Sequence, residues 1–174
     1  MTTTMDNPTT THLAFMYGTL KSTEANHRVL FDKDPAGVAF VGQGQTAELF
    51  PLVVTTPFNI PFLLYKEETG KQVQGEIYQI SERTLNLLDD FEGHPDFYER
   101  RKVKAELLTD SEGRPLDDSP KLVDVWLYGL PRFKKSLLEL PYLPTYKGDG
   151  VVAPKYKVYS PDIDGPLDKY LHEV

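Results

Sequence analysis

Residues Val73–Glu92 read VQGEIYQISERTLNLLDDFE, and two periodicities meet within them. Up to Ile80 the side chains alternate. Val73, Gly75 and Ile77 share one face, while Gln74 and Glu76 share the other, the period of two of a half-buried strand. At Ser81 the period changes. Ser81 is a good N-cap, Ile80 before it can pack on Leu85 as a hydrophobic staple, and Leu85, Leu88 and Phe91 form an apolar stripe. Gly93 and Pro95 stop the helix that this pattern predicts over Ser81–Phe91.

Outward from this strand-to-helix unit, most of the chain reads as short strands. His12–Tyr17 is an apolar run ending at Gly18; Val38–Val41, Leu52–Thr56 and Phe62–Tyr65 are strands broken by Gly, Pro and Asn. Tyr98–Leu108 alternates, with Val103, Ala105 and Leu107 inward and Arg100, Lys102 and Lys104 toward water. Thr109–Pro120, acid-rich with Gly113 and two prolines, predicts an exposed hairpin loop before a strand over Leu122–Tyr128. A weaker helix is expected over Ser22–Phe31, capped by Ser22 or Thr23, and another over Pro166–Val174. About six or seven strands with segregated helices predict an α+β domain, a small, mostly antiparallel β-barrel.

A chain of 174 residues suits one domain. Met1–Thr11 reads as a polar tail without the basic start or apolar run of a secretion leader, residues 12–130 as the barrel domain, and residues 131–174 as an extension packed on it. The extension holds Tyr142, Tyr146, Tyr156, Tyr159 and Tyr170, expected mainly to pack and otherwise to border a pocket. With no cysteine, the chain has no disulfide, thiolate metal site or Cys nucleophile. A net charge of −7 argues against nucleic acid and anionic membranes as partners, since both are bound by clustered Lys and Arg. The expectation is a soluble cytoplasmic monomer acting on a small molecule.

Two places carry candidate chemistry. The helix end Asp89-Asp90-Phe91-Glu92 puts three acids where backbone carbonyls are already negative, so helix dipole and mutual repulsion should raise at least one carboxyl pKa. A carboxyl titrating near neutrality is what a general base needs, and Glu92 is the candidate. The strand-to-turn segment Tyr17-Gly18-Thr19-Leu20 can turn successive N–H groups toward an anion. Asp89, Asp90, Glu92 and His94 have poor metal spacing, and no metal site is expected. No GxSxG nucleophile motif occurs. Asn59-Ile60-Pro61 is a candidate for a cis proline.

Taken together, several segments are similar to a known family. Phe15–Lys21 (FMYGTLK), Asn26–Leu30 (NHRVL), Pro51-Leu52-Val53, Asn59-Ile60-Pro61, Gly75–Tyr78 (GEIY) and Leu88–Glu92 (LDDFE), then Pro95, Tyr98 and Arg100, resemble the γ-glutamylamine cyclotransferases of the γ-glutamyl cyclotransferase-like (AIG2-like) family. The resemblance runs from about Leu13 to Tyr128. It implies a small mixed β-barrel with a pocket lined by Tyr17, Gly18, Thr19 and Leu20, Glu92 at the catalytic position, and no cofactor. The implied reaction turns γ-glutamylamines such as γ-glutamyl-ε-lysine into 5-oxoproline and a free amine, the substrate's α-amine attacking its own γ-amide. Tyr128 is a further candidate for a hydrogen bond in the pocket. The alternatives are a cyclotransferase for γ-glutamyl amino acids or glutathione, and a binding domain that keeps the pocket without turnover.

Overall fold

The computed structural model describes residues 10–118, 120–148 and 174. Five strands close a barrel in the order β1-β5-β2-β6-β7: β1 (Thr11–Met16), β2 (Val38–Thr46), β5 (Gln74–Ser81), β6 (Glu99–Leu107) and β7 (Lys121–Gly129). Between β2 and β5 the chain adds a separate hairpin of β3 (Leu52–Thr55) and β4 (Ile60–Leu63). All the ladders are antiparallel except the one that closes the barrel, where β1 runs parallel to β7 with Ala14 opposite Trp126. The fold is thus the mixed, mostly antiparallel barrel expected.

The alternation in β5 decides what lies on each side of the wall. Phe15 pairs with Ile77 and points inward with Val73, Ala105, Leu107, Val125 and Leu127, filling the barrel. Ala14, Met16, Tyr78, Ile80 and Tyr128 lie on the outer face, where Leu85 and Leu88 of α1 (Glu82–Glu92) cover them. Ser81 caps α1, its hydroxyl accepting from the Thr84 N–H at 3.1 Å. Leu85 and Leu88 are 2% and 1% exposed, a burial worth about 1.5–3 kcal/mol each. Phe91 departs from the expected stripe: it is 46% exposed.

Other expectations are corrected in detail. Ser22–Phe31 forms turns and one 3₁₀ turn, His27–Leu30, whose N-cap is Asn26. Arg100 does not point into water; it pairs with Asp89 at 3.2 Å and lies over the Trp126 ring at 4.4 Å. The cis proline bond is His94–Pro95, not Ile60–Pro61. Of the extension, residues 131–148 pack on the barrel: Leu143 N–H donates to Leu52 O, Gln74 N–H to Pro144 O, and Tyr146 is buried in the barrel core. Tyr156, Tyr159, Tyr170 and the helix expected to begin at Pro166 lie outside the described residues, apart from Val174. No helix among the described residues is long and apolar enough to cross a membrane.

Candidate active site

Because β1 and β7 run parallel, both deliver their C-terminal ends to the same rim of the barrel. A cleft of about 350 Å³ opens there, between Met16–Leu20 after β1, Tyr128 at the end of β7, the last turn of α1, and Ile60–Phe62 of the β3–β4 hairpin. All six residues singled out from the sequence line it: Tyr17, Gly18, Thr19, Leu20, Glu92 and Tyr128.

The Tyr17–Leu20 turn is held from outside. The Tyr17 phenol donates to Tyr128 O at 2.8 Å, anchoring the turn to β7. A Cβ on Gly18 would lie 2.9 Å from Cγ of Pro61, so only glycine allows the turn and the hairpin to approach this closely. The carbonyls of the turn are occupied: Gly18 O accepts from Lys21 N–H, Thr19 O from Asn26 N–H, and Leu20 O faces His27 Nδ1. Asn26 also donates its amide to Thr19 Oγ1 at 3.0 Å. By contrast, the N–H groups of Gly18, Thr19 and Leu20 donate to no described residue. Amides arranged in this way are suited to an oxyanion or a carboxylate.

Glu92 ends α1, and Gly93, in the left-handed region at φ 68°, stops the helix and gives its N–H back to carbonyls of the last turn. Glu92 thereby lines the cleft beside Tyr17, Tyr98 and Tyr128, while Asp89 and Asp90 leave in other directions. Asp89 accepts from the Tyr128 hydroxyl at 2.6 Å and pairs with Arg100; Asp90 is exposed. Among the described residues, nothing donates a hydrogen bond to the Glu92 carboxyl and no cation pairs with it. Burial alone pushes its pKa up to about 8. The expectation of a raised carboxyl therefore holds at Glu92, but for a different cause. Three crowded acids were to do it, and the structure separates them.

The phenols around Glu92 stay protonated. Burial pushes Tyr17 well above its usual range, with the Glu92 charge adding to it, and burial does the same for Tyr98, aided by Tyr17 and Glu92. Burial also raises Tyr128, reinforced by its bond to Asp89. Its hydroxyl is thus committed to Asp89, and its carbonyl to Tyr17. The remaining lining residues are Phe15, Met16, Asn26, Ile60, Pro61, Phe62, Phe91, Phe97 and Tyr98, so among the described residues Glu92 is the sole carboxyl and no Lys, Arg or His faces the cleft.

Asn26, the hairpin residues Ile60–Phe62, Phe97 and Tyr98 were not assigned to the site from the sequence. Asn26, Ile60, Pro61 and Tyr98 stand in segments that carry the family resemblance, which was the available signal; Phe97 had none.

Comparisons with known proteins identify relatives of this chain. The family model described as gamma-glutamyl cyclotransferase, AIG2-like, matches residues 14–147. A gamma-glutamylaminecyclotransferase of Homo sapiens is 39% identical over 139 residues, which are 79% of this chain and 91% of the human protein. Gamma-glutamylaminecyclotransferase C of Danio rerio is 36% identical over 140 residues, 80% of this chain and 89% of the fish protein. The crystal structure of an AIG2-like protein from Mus musculus superposes with a TM-score of 0.73 at 35% identity, covering 86% of this chain and 99% of the mouse chain. With its barrel, its cleft and these relatives, the chain belongs to the AIG2-like gamma-glutamyl cyclotransferase family.

Proposed function

We propose that this chain is a cytosolic γ-glutamylamine cyclotransferase with Glu92 as its acid–base residue and the Tyr17–Leu20 turn as its anion cradle. The observation that carries the proposal is the isolated Glu92 carboxyl, raised to about 8 in a cleft otherwise uncharged among the described residues. A carboxylate there takes a proton from the substrate's α-ammonium. The free amine attacks the γ-carbonyl carbon, forming the C–N bond of a five-membered ring and moving the carbonyl electrons onto oxygen. N–H groups of the turn are suited to that oxyanion or to the α-carboxylate. Collapse of the intermediate re-forms the carbonyl and breaks the bond to the leaving nitrogen, which receives the proton from Glu92, while the ring nitrogen releases its second proton to water. The products are 5-oxoproline and a free amine, and Glu92 is again a carboxylate.

Nucleophile and electrophile belong to one molecule, so the enzyme supplies neither. Its task is to hold the glutamyl chain bent and to move one proton, contributions of proximity and of acid–base catalysis.

The lining also supports an amine rather than an amino acid as leaving group. An α-carboxylate beside the leaving nitrogen would lose its water against apolar walls with no cation among the described residues to meet it, at a cost of several kcal/mol. The test is a panel of γ-glutamyl-ε-lysine, γ-glutamylalanine and glutathione, followed by release of 5-oxoproline. Turnover of the first, at least about tenfold faster in kcat/KM than the others, is expected. Preference for glutathione or γ-glutamylalanine overturns the amine assignment; 5-oxoproline binding without turnover of any member overturns catalysis.

The pH dependence follows from the same carboxyl. Only its ionised form accepts a proton, so kcat/KM should rise with pH with its midpoint near 8, the raised pKa, and level off above it. A lower limb at pH 4–5, the ordinary carboxylate range, would mean that the acting carboxyl is not raised.

A further inference from the structure

Glu76 is a buried acid that the chemistry above does not use. It stands on the outer face of β5, opposite Met16 of β1, hence immediately behind the point where the cleft turn leaves the barrel. It is 5% exposed. Its carboxylate accepts three hydrogen bonds, from Ser22 N–H at 2.8 Å and the Tyr78 hydroxyl at 2.7 Å on Oε2, and from the Ser22 hydroxyl at 2.7 Å on Oε1. Two of these three bonds go to a single residue, two positions after Leu20.

A carboxylate is an expensive way to fill a strand face covered by packing, so its partners are informative. The Tyr17–Leu20 turn is gripped at its start by the Tyr17 phenol on β7 and by Pro61 against Gly18. Its N–H groups meet no described acceptor, so they lend the turn no rigidity of their own. At its end, Ser22 is tied to the barrel wall by Glu76 through both backbone and side chain. We propose that Glu76 is a positioning residue for the reaction: by clamping Ser22 to β5 it keeps the Gly18–Leu20 amides lining the cleft. The proposal rests on the function above in one respect, that these amides hold an anionic group of the substrate or transition state.

The full chain carrying Glu76→Ala, Glu76→Gln or Tyr78→Phe tests it, assayed with γ-glutamyl-ε-lysine well below each variant's Tm. Glu76→Ala releases Ser22, and a turn displaced by about 1 Å is expected to lower kcat/KM about 10- to 100-fold. The loss falls on KM if the amides hold the α-carboxylate and on kcat if they hold the oxyanion. Glu76→Gln should restore activity to within about threefold, because its oxygen can still accept from Ser22 N–H and Tyr78 while its NH₂ donates to a rotated Ser22 hydroxyl. Tyr78→Phe removes one buried bond but leaves both ties to Ser22, so stability falls and kcat/KM stays within about twofold. A residue that merely supports the fold would give parallel losses in Glu76→Ala and Tyr78→Phe.

Amide hydrogen exchange at Lys21, Ser22 and Asn26, whose N–H groups donate to Gly18 O, Glu76 Oε2 and Thr19 O, supplies a readout independent of turnover, expected to speed up about tenfold or more in Glu76→Ala and not in Tyr78→Phe. If the wild type turns over no substrate, the proposed function fails while exchange still tests the clamp. Should Glu76→Ala not fold, Ser22→Ala, which cuts the Oε1 bond alone, is expected to lose about fivefold in kcat/KM and to speed the same amides. A folded variant lacking the clamp that keeps wild-type kcat/KM, or wild-type exchange at the turn, overturns the proposal.

Discussion

Glu92→Gln is expected to lower kcat for γ-glutamyl-ε-lysine by about 10²- to 10⁴-fold while leaving KM within a few-fold. Gln has the shape of the protonated carboxyl, and no described group donates to Glu92, so the substitution strands no partner. What disappears is the site that takes a proton from the α-ammonium and returns it to the leaving nitrogen. The residual rate would come from enclosure of the bent glutamyl chain and from the amides of the Tyr17–Leu20 turn. Asp90→Asn, one turn-position away and exposed, is the control and should stay near wild type. Steady-state assay of 5-oxoproline release decides the matter. Near-wild-type kcat in Glu92→Gln would remove Glu92 from the reaction.

The same substitution should stabilise the fold, and only at high pH. The folded pKa of Glu92 is about 8 against an ordinary 4.5, so the folded protein keeps a proton that the unfolded chain releases between those values. The stability associated with that proton is fully present below pH 4.5, declines as pH rises through the window, and is gone above about 8. At 1.36 kcal/mol per pKa unit the decline has a ceiling of about 5 kcal/mol, and Glu92's remaining contact with solvent in the cleft brings it nearer to about 2–3 kcal/mol. Gln carries no charge at any pH and escapes it. Glu92→Gln and wild type should therefore melt together at pH 4, whereas at pH 9 the variant should melt about 5–10 °C higher. An equal difference at both pH values, or none, would mean that Glu92 titrates as a surface acid. Activity and stability thus pull against each other at one side chain, as expected of a group whose charge the reaction needs and the fold resists.

The two expectations differ in how far local chemistry reaches. Ser81, Ile80 and Leu85 start α1 where their sequence signals place the start, because caps and staples act over three or four residues. Alternation in β5 and β6 likewise sorts Ile77, Ala105 and Leu107 inward without knowledge of the partner strands. The end of α1 behaves otherwise. Phe91 continues the helical stripe by spacing, yet it is exposed and stands at the cleft. Arg100 alternates as a solvent-facing residue, yet Asp89 and the Trp126 ring, far away in sequence, draw it onto the barrel.

The sequence by itself determined the element types, the helix cap, the group of three acids and the Gly turn on which chemistry could rest, and, through its resemblance, the family. Each is carried by residues within a few positions of one another. The tertiary structure decided which of the three acids lines the cleft without a partner, why its pKa rises, and which hairpin closes on Gly18. It also showed that a glutamate on β5 reaches the turn after β1. Those outcomes depend on the parallel closure of β1 against β7, which brings two distant strand ends and a helix terminus to one rim. Desolvation is a property of what surrounds a group in space, and no neighbour in the chain can report it.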